Sequence, residues 1–346
     1  MWKWLKARTG VKSEAKVEHQ AAAPAVALTE WPATEQITMD VVAEPVLPAV
    51  DLAPVLNRRF SALMLGVPVL ATLEMTEAEQ QVLRRLGEAL VQRKSQDFLP
   101  RMPAVLPRLM GLVRRDNVSA REITEQVARD PALMGEVIRL ANSSYYRRGK
   151  EIADLQDAVM TLGQMGLEKV IVQAAMRPVF NAQQGRFSRT ATALLWDLSA
   201  RCAAACSFLM KGQGQEFNAY LAGTLLGCGL LPTLRILDQS FATGPAPQSQ
   251  AFHDGLSEVG LKIAAQLARD WEFPAEVAQA IASLSMPASP ATDSTLGAAL
   301  READQVSKLQ LLPGGQAEPE ALLQDLRLMP SYQWLDRSFA AAVEPG

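Results

Sequence analysis

The most informative sequence is Arg129-Asp-Pro-Ala-Leu-Met-Gly-Glu-Val-Ile-Arg-Leu-Ala-Asn-Ser-Ser-Tyr-Tyr146, a run that combines a helix start with a broad apolar face. Asp130 is a good N-cap residue, and Pro131 suits the first helical position because proline lacks a backbone N–H that would be unpaired there. The apolar residues that follow lie along two adjacent sides, with Leu133, Val137 and Leu140 on one and Met134, Ile138 and Ala141 on the other. A face this wide requires burial against more than one neighbour, so the run predicts a central helix of a helical core.

The remaining apolar segments also show helical rather than strand periodicity. Thr76 with Glu79, and Ser119 with Glu122, form capping boxes ahead of apolar residues at helical spacing. Gly163 predicts the end of a helix, because glycine readily adopts the conformation that closes one. Further helices are predicted at 52–65, 106–113, 167–176, 194–209, 218–237, 256–271, 275–284 and 295–312. The predicted fold class is all-α, a compact multi-helix domain without internal repeats.

Composition divides the chain into four parts. Residues 1–51 mix Ala, Pro, Val, Glu and Thr without a sustained period, which predicts a disordered tail or linker. Residues 52–95 are predicted to be a helical lead-in segment, 96–312 the main domain and 313–346 a C-terminal extension.

Charge and cysteine content argue against several classes of protein. The net charge of −3 at pH 7 gives the 346-residue chain no overall attraction for nucleic acid. Cys202, Cys206 and Cys228 form no Cys-x-x-Cys pair and have no clustered histidines, which argues against a disulfide framework and a zinc site. Cys202 and Cys206 are expected to pack as small residues on one helix, and Cys228 to be an inert buried thiol.

The sequence also predicts a location. The first residues carry positive charge without an apolar stretch and cleavage site, so we expect no secretory signal. The longest uncharged run, 219–234, is too short for a bilayer span and is interrupted by three glycines and a proline. We therefore expect a buried core segment there, no transmembrane segment, and a cytoplasmic protein.

Several spaced blocks carry a family resemblance. They are Leu99-Pro-Arg-Met-Pro-Ala-Val105, Ala128-Arg-Asp-Pro-Ala-Leu133, Arg139-Leu-Ala-Asn-Ser-Ser-Tyr-Tyr146, Ala158-Val-Met-Thr-Leu-Gly163, Leu195-Trp196 with Ser199, Ala219-Tyr-Leu-Ala-Gly223 and Trp271-Glu-Phe-Pro274. In this order they resemble the HDOD domain, the HD-related output domain of bacterial signalling proteins. The resemblance covers residues 99–312 and implies an HD-like helical fold.

The resemblance also implies where hydrolytic relatives would hold metal. Those relatives use a leading His, a His-Asp dyad and a further Asp to position ions that activate water against a phosphoester. The leading position falls at Leu198 and the dyad at Leu226-Gly227, and neither leucine nor glycine has a side chain that can bind a metal. His253 is the one histidine beyond the tail. We therefore expect no catalytic residue, no metal, no cofactor and no enzymatic activity.

A magnesium site made of carboxylates is the remaining enzymatic alternative, because Mg²⁺ accepts oxygen ligands. Asp197 and Asp254 are the candidates, and such a site would make the protein an atypical phosphohydrolase or cyclic-dinucleotide phosphodiesterase. The structural alternatives are a solvent-facing helix residue for Asp197 and a cap before the helix at Leu256 for Asp254.

Polar, aromatic and basic residues crowd together after the helix of the first run. This exit loop contains Asn142, Ser143, Tyr145, Tyr146, Arg147, Arg148 and Lys150. Aromatic rings beside cations are suited to a phosphate-bearing ligand, a nucleic acid or an acidic partner. The same residues are equally suited to capping the helix and anchoring the loop to the core, so both roles stay open.

The resemblance and the missing ligands together predict a non-catalytic signalling output or scaffold module that acts through contact with a signalling protein. A regulator that binds nucleic acid or another anion through Arg147, Arg148 and Lys150 is the second non-enzymatic alternative.

Overall fold

Helices account for all the regular structure of the residues that can be described. A computed structural model of the protein describes residues 52–69, 74–91, 99–113, 119–143, 145–146, 151–181, 185–288, 294–313 and 320–340. The helices are α1 (Ala53–Leu65), α2 (Glu77–Val91), α3 (Leu106–Val113), α4 (Ala120–Val127), α5 (Pro131–Ala141), α6 (Leu155–Asn181), α7 (Ser188–Leu209), α8 (Glu216–Ser240), α9 (Gln250–Asp270), α10 (Ala275–Ser283), α11 (Thr295–Leu311), α12 (Glu320–Leu328) and α13 (Pro330–Ala340). No strand occurs within these ranges, so the all-α prediction is confirmed. The predicted tail, 1–51, lies outside the described residues.

The first run of sequence forms α5 as predicted. The Asp130 carboxylate accepts hydrogen bonds from the backbone N–H groups of Ala132 and Leu133 at 3.0 and 3.1 Å, and Pro131 is the first helical residue. Ser119 caps α4 in the same manner, through the N–H three residues further on. Local sequence therefore explains where both helices begin.

The capping box of α2 has a second role in the fold. The Thr76 N–H donates to the Glu79 carboxylate at 2.7 Å, and the Glu79 N–H donates back to the Thr76 hydroxyl at 3.2 Å. The same carboxylate accepts from the N–H groups of Gln248 and Ser249 at 2.9 and 3.1 Å. A single buried carboxylate therefore ties the start of α2 to the start of α9.

The centre of the core is the pair α7 and α8. Most of α8 is buried, and a Cβ added to Gly223 of α8 would lie only 2.4 Å from the backbone nitrogen of Ala203 on α7. Among the described residues, α8 is the one helix long and apolar enough to cross a membrane, but 89% of its most apolar window is buried inside the protein. The two helix backbones are therefore in direct contact, as glycine at such a crossing permits.

One predicted helix end is confirmed at Gly163, and the start of α9 differs from its prediction. Gly163 leaves the helical conformation with φ 68° and ψ 177°, yet the chain re-enters a helix at once and α6 continues to Asn181. The N-cap of α9 is Ser249, whose hydroxyl accepts from the Phe252 N–H, so this helix begins at Gln250. Asp254 consequently lies inside α9, and its predicted role as a cap is wrong.

Segments outside the main helical core pack onto it. α1 contacts α7, α9 and α11, while α13 contacts α7 and α11. α1 and α11, which are far apart in sequence, therefore lie side by side over the α7–α8 pair.

Candidate functional site

A small cavity of about 30 Å³ lies at the positions where the resemblance places metal ligands. Leu198 of α7 and Leu226 of α8 both line it, and both are buried. Its other walls include Asn57, Phe60 and Met64 of α1, and Asp304 and Lys308 of α11. We call this space the lysine cavity. The structure thus brings together the two leucines that the sequence placed at ligand positions.

The cation in this cavity is a lysine ammonium. Lys308 is only 7% exposed, and its Nζ lies 2.6 Å from Oδ2 of Asp304, which is 6% exposed. The same ammonium donates to the Asn57 side-chain oxygen and lies 6.0 Å from the centre of the Phe60 ring. The charge of Lys308 is therefore paired and hydrogen-bonded by residues of α11 and α1.

Close packing at Gly227 excludes a side chain from the second dyad position. A Cβ there would lie 2.3 Å from Oγ of Ser199 and 2.4 Å from the carbonyl oxygen of Leu195. These distances are far below van der Waals contact, so an aspartate at this position requires α7 and α8 to separate. The two leucines and the glycine offer no metal ligand, and the oxygens of Asp304 and Asn57 are already bound to Lys308, so these positions do not fit a metal ion.

His253, the one histidine beyond residues 1–51, is buried between two helices. His253 is completely buried in α9, and its Nδ1 lies 2.7 Å from the Ser61 hydroxyl of α1. Burial lowers the pKa of the imidazole, so the neutral form is favoured in the folded protein. His253 therefore joins α9 to α1 and does not line the lysine cavity.

The two candidate magnesium ligands do not line the cavity either. Asp197 is exposed on α7, as its structural alternative predicts. Asp254 forms an ion pair with Arg58 of α1, with Oδ1 2.6 Å from Nε. Across the part of the chain that the structure describes, no three His, Cys, Asp or Glu side chains gather in a way that could hold a metal ion.

All three cysteines are buried. They lie in the two central helices, Cys202 and Cys206 in α7 and Cys228 in α8. Burial raises the pKa of each thiol above its ordinary value, which disfavours the reactive thiolate. Their environment is that of packing residues, in line with the prediction.

The described part of the exit loop is engaged with its own protein. The Asn142 side chain accepts from the Ile152 N–H at 2.8 Å and donates to the Ile152 carbonyl at 2.7 Å. Tyr146 is buried, and its hydroxyl lies 3.0 Å from that of Tyr220. Burial raises the pKa of Tyr146 well above its ordinary value. Ser143 is half-buried and donates its N–H to the Leu140 carbonyl at 2.9 Å.

Tyr145 contacts a helix that the sequence did not predict. Its ring stacks on Phe339 of α13 at 5.0 Å between centroids and meets Trp334 edge-to-face at 6.3 Å. Arg147, Arg148 and Lys150 lie outside the described residues. Anchoring therefore accounts for the tyrosines, and partner binding by the three cations stays a prediction.

Sequence reasoning missed a much larger open groove of about 870 Å³. It runs between residues 99–105, the start of α5, the end of α6 and the second half of α8. Three arginines line it, Arg101, Arg177 and Arg235, together with the carboxylates of Asp130 and Glu136. We call it the arginine groove. The only sequence signal is the block beginning Leu99-Pro-Arg-Met-Pro, which indicates the family but does not by itself predict a wall of a site.

Three of the groove charges have defined contacts within the protein. The guanidinium of Arg177 lies 4.5 Å from the centre of the Trp196 ring, which holds it in place. Glu136 binds Arg139 through both carboxylate oxygens, at 2.5 and 2.8 Å, and the Asp130 carboxylate caps α5. Both acidic groups of the groove are therefore engaged within α5.

Comparisons with known proteins agree with this architecture. The family model of the HDOD domain matches residues 99–287. An uncharacterized protein of Treponema pallidum (strain Nichols) is 22% identical over 195 residues, which are 54% of this chain and 37% of that protein. The chain thus spans just over a third of the length of that relative.

Solved structures show the same fold. A Shewanella amazonensis SB2B protein, provisionally named a metal-dependent phosphohydrolase, matches with a TM-score of 0.53 and 22% identity over 76% of this chain and 100% of that one. A Marinobacter aquaeolei VT8 protein, provisionally named a signal transduction protein, matches with a TM-score of 0.50 and 20% identity over 78% of this chain and 65% of that one. With the family model covering more than half of the chain, the protein belongs to the HDOD domain family, which is related to the HD phosphohydrolases.

Proposed function

We propose that this protein is a non-catalytic signalling output or scaffold module that acts through protein–protein contact in a bacterial regulatory pathway. The observation that carries the proposal is the buried ammonium of Lys308 in the cavity lined by Leu198 and Leu226. The cytoplasm is the expected location, and a signalling protein is the expected partner.

Electrostatics supports the loss of metal chemistry. A divalent ion in the lysine cavity would face a fixed positive charge at close range in a poorly hydrated environment, where repulsion between like charges is strong. Leu198 and Leu226 supply no lone pairs to compensate. Asp304 is already neutralised by Lys308, with 2.6 Å between the charged atoms. The cavity therefore favours the resident ammonium over a metal.

Packing supports the same conclusion. Gly227 allows α7 and α8 to touch, and a Cβ added there would approach Ser199 to 2.3 Å, which excludes the dyad aspartate. α1 and α11 then cover the two leucines from outside. Recovering a hydrolytic site would require several substitutions and a rearrangement of the central helix pair.

A turnover measurement tests the non-catalytic part of the proposal. The full chain is incubated with bis(p-nitrophenyl) phosphate and with cyclic di-GMP in the presence of Mn²⁺ or Mg²⁺. We expect no hydrolysis above buffer. Turnover that co-purifies with the protein and disappears in Asp197→Asn or Asp254→Asn would overturn the proposal in favour of the carboxylate-site alternative.

Partner capture tests the signalling part. Cross-linking pull-downs from the source cells compare the wild type with the Arg147→Ala/Arg148→Ala variant and with Arg121→Ala, an exposed control on α4. We expect one protein partner to be enriched by the wild type and the control, and its depletion by the double variant would place the contact at the exit loop. Recovery of nucleic acid alone, or of no specific partner, would contradict the proposal.

A further inference from the structure

The arginine groove has the size and lining of a binding site. Its volume of about 870 Å³ lies within the range of pockets that hold ligands. Most of its lining is apolar and comes from four separate parts of the chain, residues 99–105, the start of α5, the end of α6 and α8. A site built from several rigid elements holds its shape better than a single loop does.

Charge in and around the groove favours an anionic occupant. Arg101 and Arg235 are exposed, and Arg177 is fixed against Trp196. The carboxylate of Glu136 is paired with Arg139, and Asp130 is committed to the N-terminus of α5. Asp197, which does not line the groove, faces two cations, Arg201 and Arg177. Positive charge therefore predominates at the groove.

The apolar lining favours a peptide over a nucleotide. Proteins commonly hold nucleobases by stacking them on aromatic rings, and no residue that lines the groove is aromatic. The lining offers instead proline, alanine, leucine, methionine and valine side chains, such as Pro103, Leu133 and Val179. These surfaces suit the alternating apolar side chains of an extended segment whose carboxylates meet the arginines.

We propose that the arginine groove binds an extended acidic segment, rich in Asp or Glu and carrying apolar side chains, of a partner protein. The inference rests on the proposed function in that it supplies the docking surface for a signalling partner. It differs from the exit-loop hypothesis in the surface that it assigns to the partner. The groove is lined by arginines from three parts of the fold, residues 99–105, α6 and α8.

The test is a selection of random octapeptides displayed on phage against the full chain. We expect enrichment of sequences that contain several Asp or Glu residues beside Leu, Val or Pro. The Arg101→Glu/Arg235→Glu variant should weaken binding of a selected octapeptide by about tenfold or more, because like charges then face each other. The matched control, Arg121→Glu/Arg269→Glu, makes the same charge change on exposed residues of α4 and α9 that do not line the groove.

Several outcomes would overturn the inference. Selected sequences without an acidic excess would do so, as would acidic sequences that bind the groove variant and the control equally. Displacement of the octapeptide by cyclic di-GMP at a similar concentration would assign the groove to small phosphate ligands instead. The single variants Arg101→Gln and Arg235→Gln repeat the test with smaller perturbation, and thermal unfolding of each variant shows that it is folded. Partner capture from cells tests the proposed function separately, so either experiment can fail while the other succeeds.

Discussion

The lysine cavity and the arginine groove use positive charge in opposite ways. In the cavity, about 30 Å³ in volume, the charge of Lys308 is buried and bonded to Asp304 and Asn57. In the groove, about 870 Å³ in volume, Arg101 and Arg235 are exposed to solvent. A buried, paired charge specifies packing, whereas an exposed charge beside an apolar lining can contact a ligand. The positions at which the resemblance places metal ligands, Leu198 and Leu226, are thus part of the core, and we expect recognition at the open groove.

Removing the buried ammonium should have the largest effect on stability. Lys308→Met leaves the Asp304 carboxylate buried without its partner, which is expected to lower the free energy of unfolding by about 3–5 kcal/mol. Urea unfolding measures the change. The double variant Asp304→Leu/Lys308→Met should recover most of the loss, since no buried charge remains. A single variant as stable as the wild type would show that Lys308 does not specify packing.

The next largest effect on stability is expected at Glu79, which connects the start of α2 to the start of α9. Burial alone would raise the pKa of Glu79, but hydrogen bonds from the backbone of Thr76, Ser249 and Gln248 and from the Ser249 hydroxyl lower it below 4.5 overall. Glu79→Gln should cost about 1.5–3 kcal/mol of unfolding free energy at neutral pH, the usual contribution of bonds to a charged group.

The pH dependence of this loss follows from the lowered pKa. Ionised Glu79 contributes its stability above pH 4.5, the ordinary value, and the contribution is lost as the pH falls through the lower folded value. The wild type and Glu79→Gln should therefore differ at pH 7 and converge in acid, as followed by denaturant unfolding between these limits. Glu258→Gln, which removes an exposed pair with Lys262, is the matched control and should change little at any pH. A constant difference between wild type and Glu79→Gln would contradict the assignment.

Close contact between α7 and α8 is tested by adding one methyl group. Gly227→Ala places a Cβ 2.4 Å from the Leu195 carbonyl oxygen, and such overpacking is expected to cost about 1–3 kcal/mol. Gly135→Ala on the exposed side of α5 meets no atom within 4 Å and should instead be neutral or stabilising, because alanine favours a helix. Thermal unfolding compares the two. Equal stability would mean that the helix pair has room for the dyad aspartate.

The smallest effect on stability is expected in the arginine groove. Arg101→Glu/Arg235→Glu should change the unfolding free energy by less than about 1 kcal/mol, because both side chains are exposed and exposed ion pairs contribute little. Denaturant unfolding measures this change beside that of Lys308→Met. A loss as large as that of the lysine variant would make the groove arginines structural and would remove the distinction between the two regions.

Sequence reasoning succeeded where short-range interactions determine structure. Asp130 with Pro131 and Thr76 with Glu79 begin their helices because a side chain bonds to N–H groups two or three residues away. The contact of Lys308 with Asn57 joins residues 251 positions apart, and no local pattern carries it.

The candidate sites also divide into features that the sequence can locate and features that depend on long-range packing. Leu198 and Leu226 could be placed through family resemblance, and the structure brings them to one cavity. The stacking of Tyr145 on Phe339 and the arginine groove both depend on how distant segments pack, so the sequence did not reveal them. The prediction of a cap at Asp254 is wrong because a serine five residues earlier, Ser249, begins the helix.

We propose that Lys308 takes the place of the metal that hydrolytic HD relatives hold. The most direct test is elemental analysis of the full chain, purified without chelators and then dialysed against Mn²⁺ or Mg²⁺. We expect far less than one bound metal ion per chain, with no change in Asp197→Asn or Asp254→Asn. One or more ions of Mn, Fe or Mg per chain, reduced by either substitution, would contradict it.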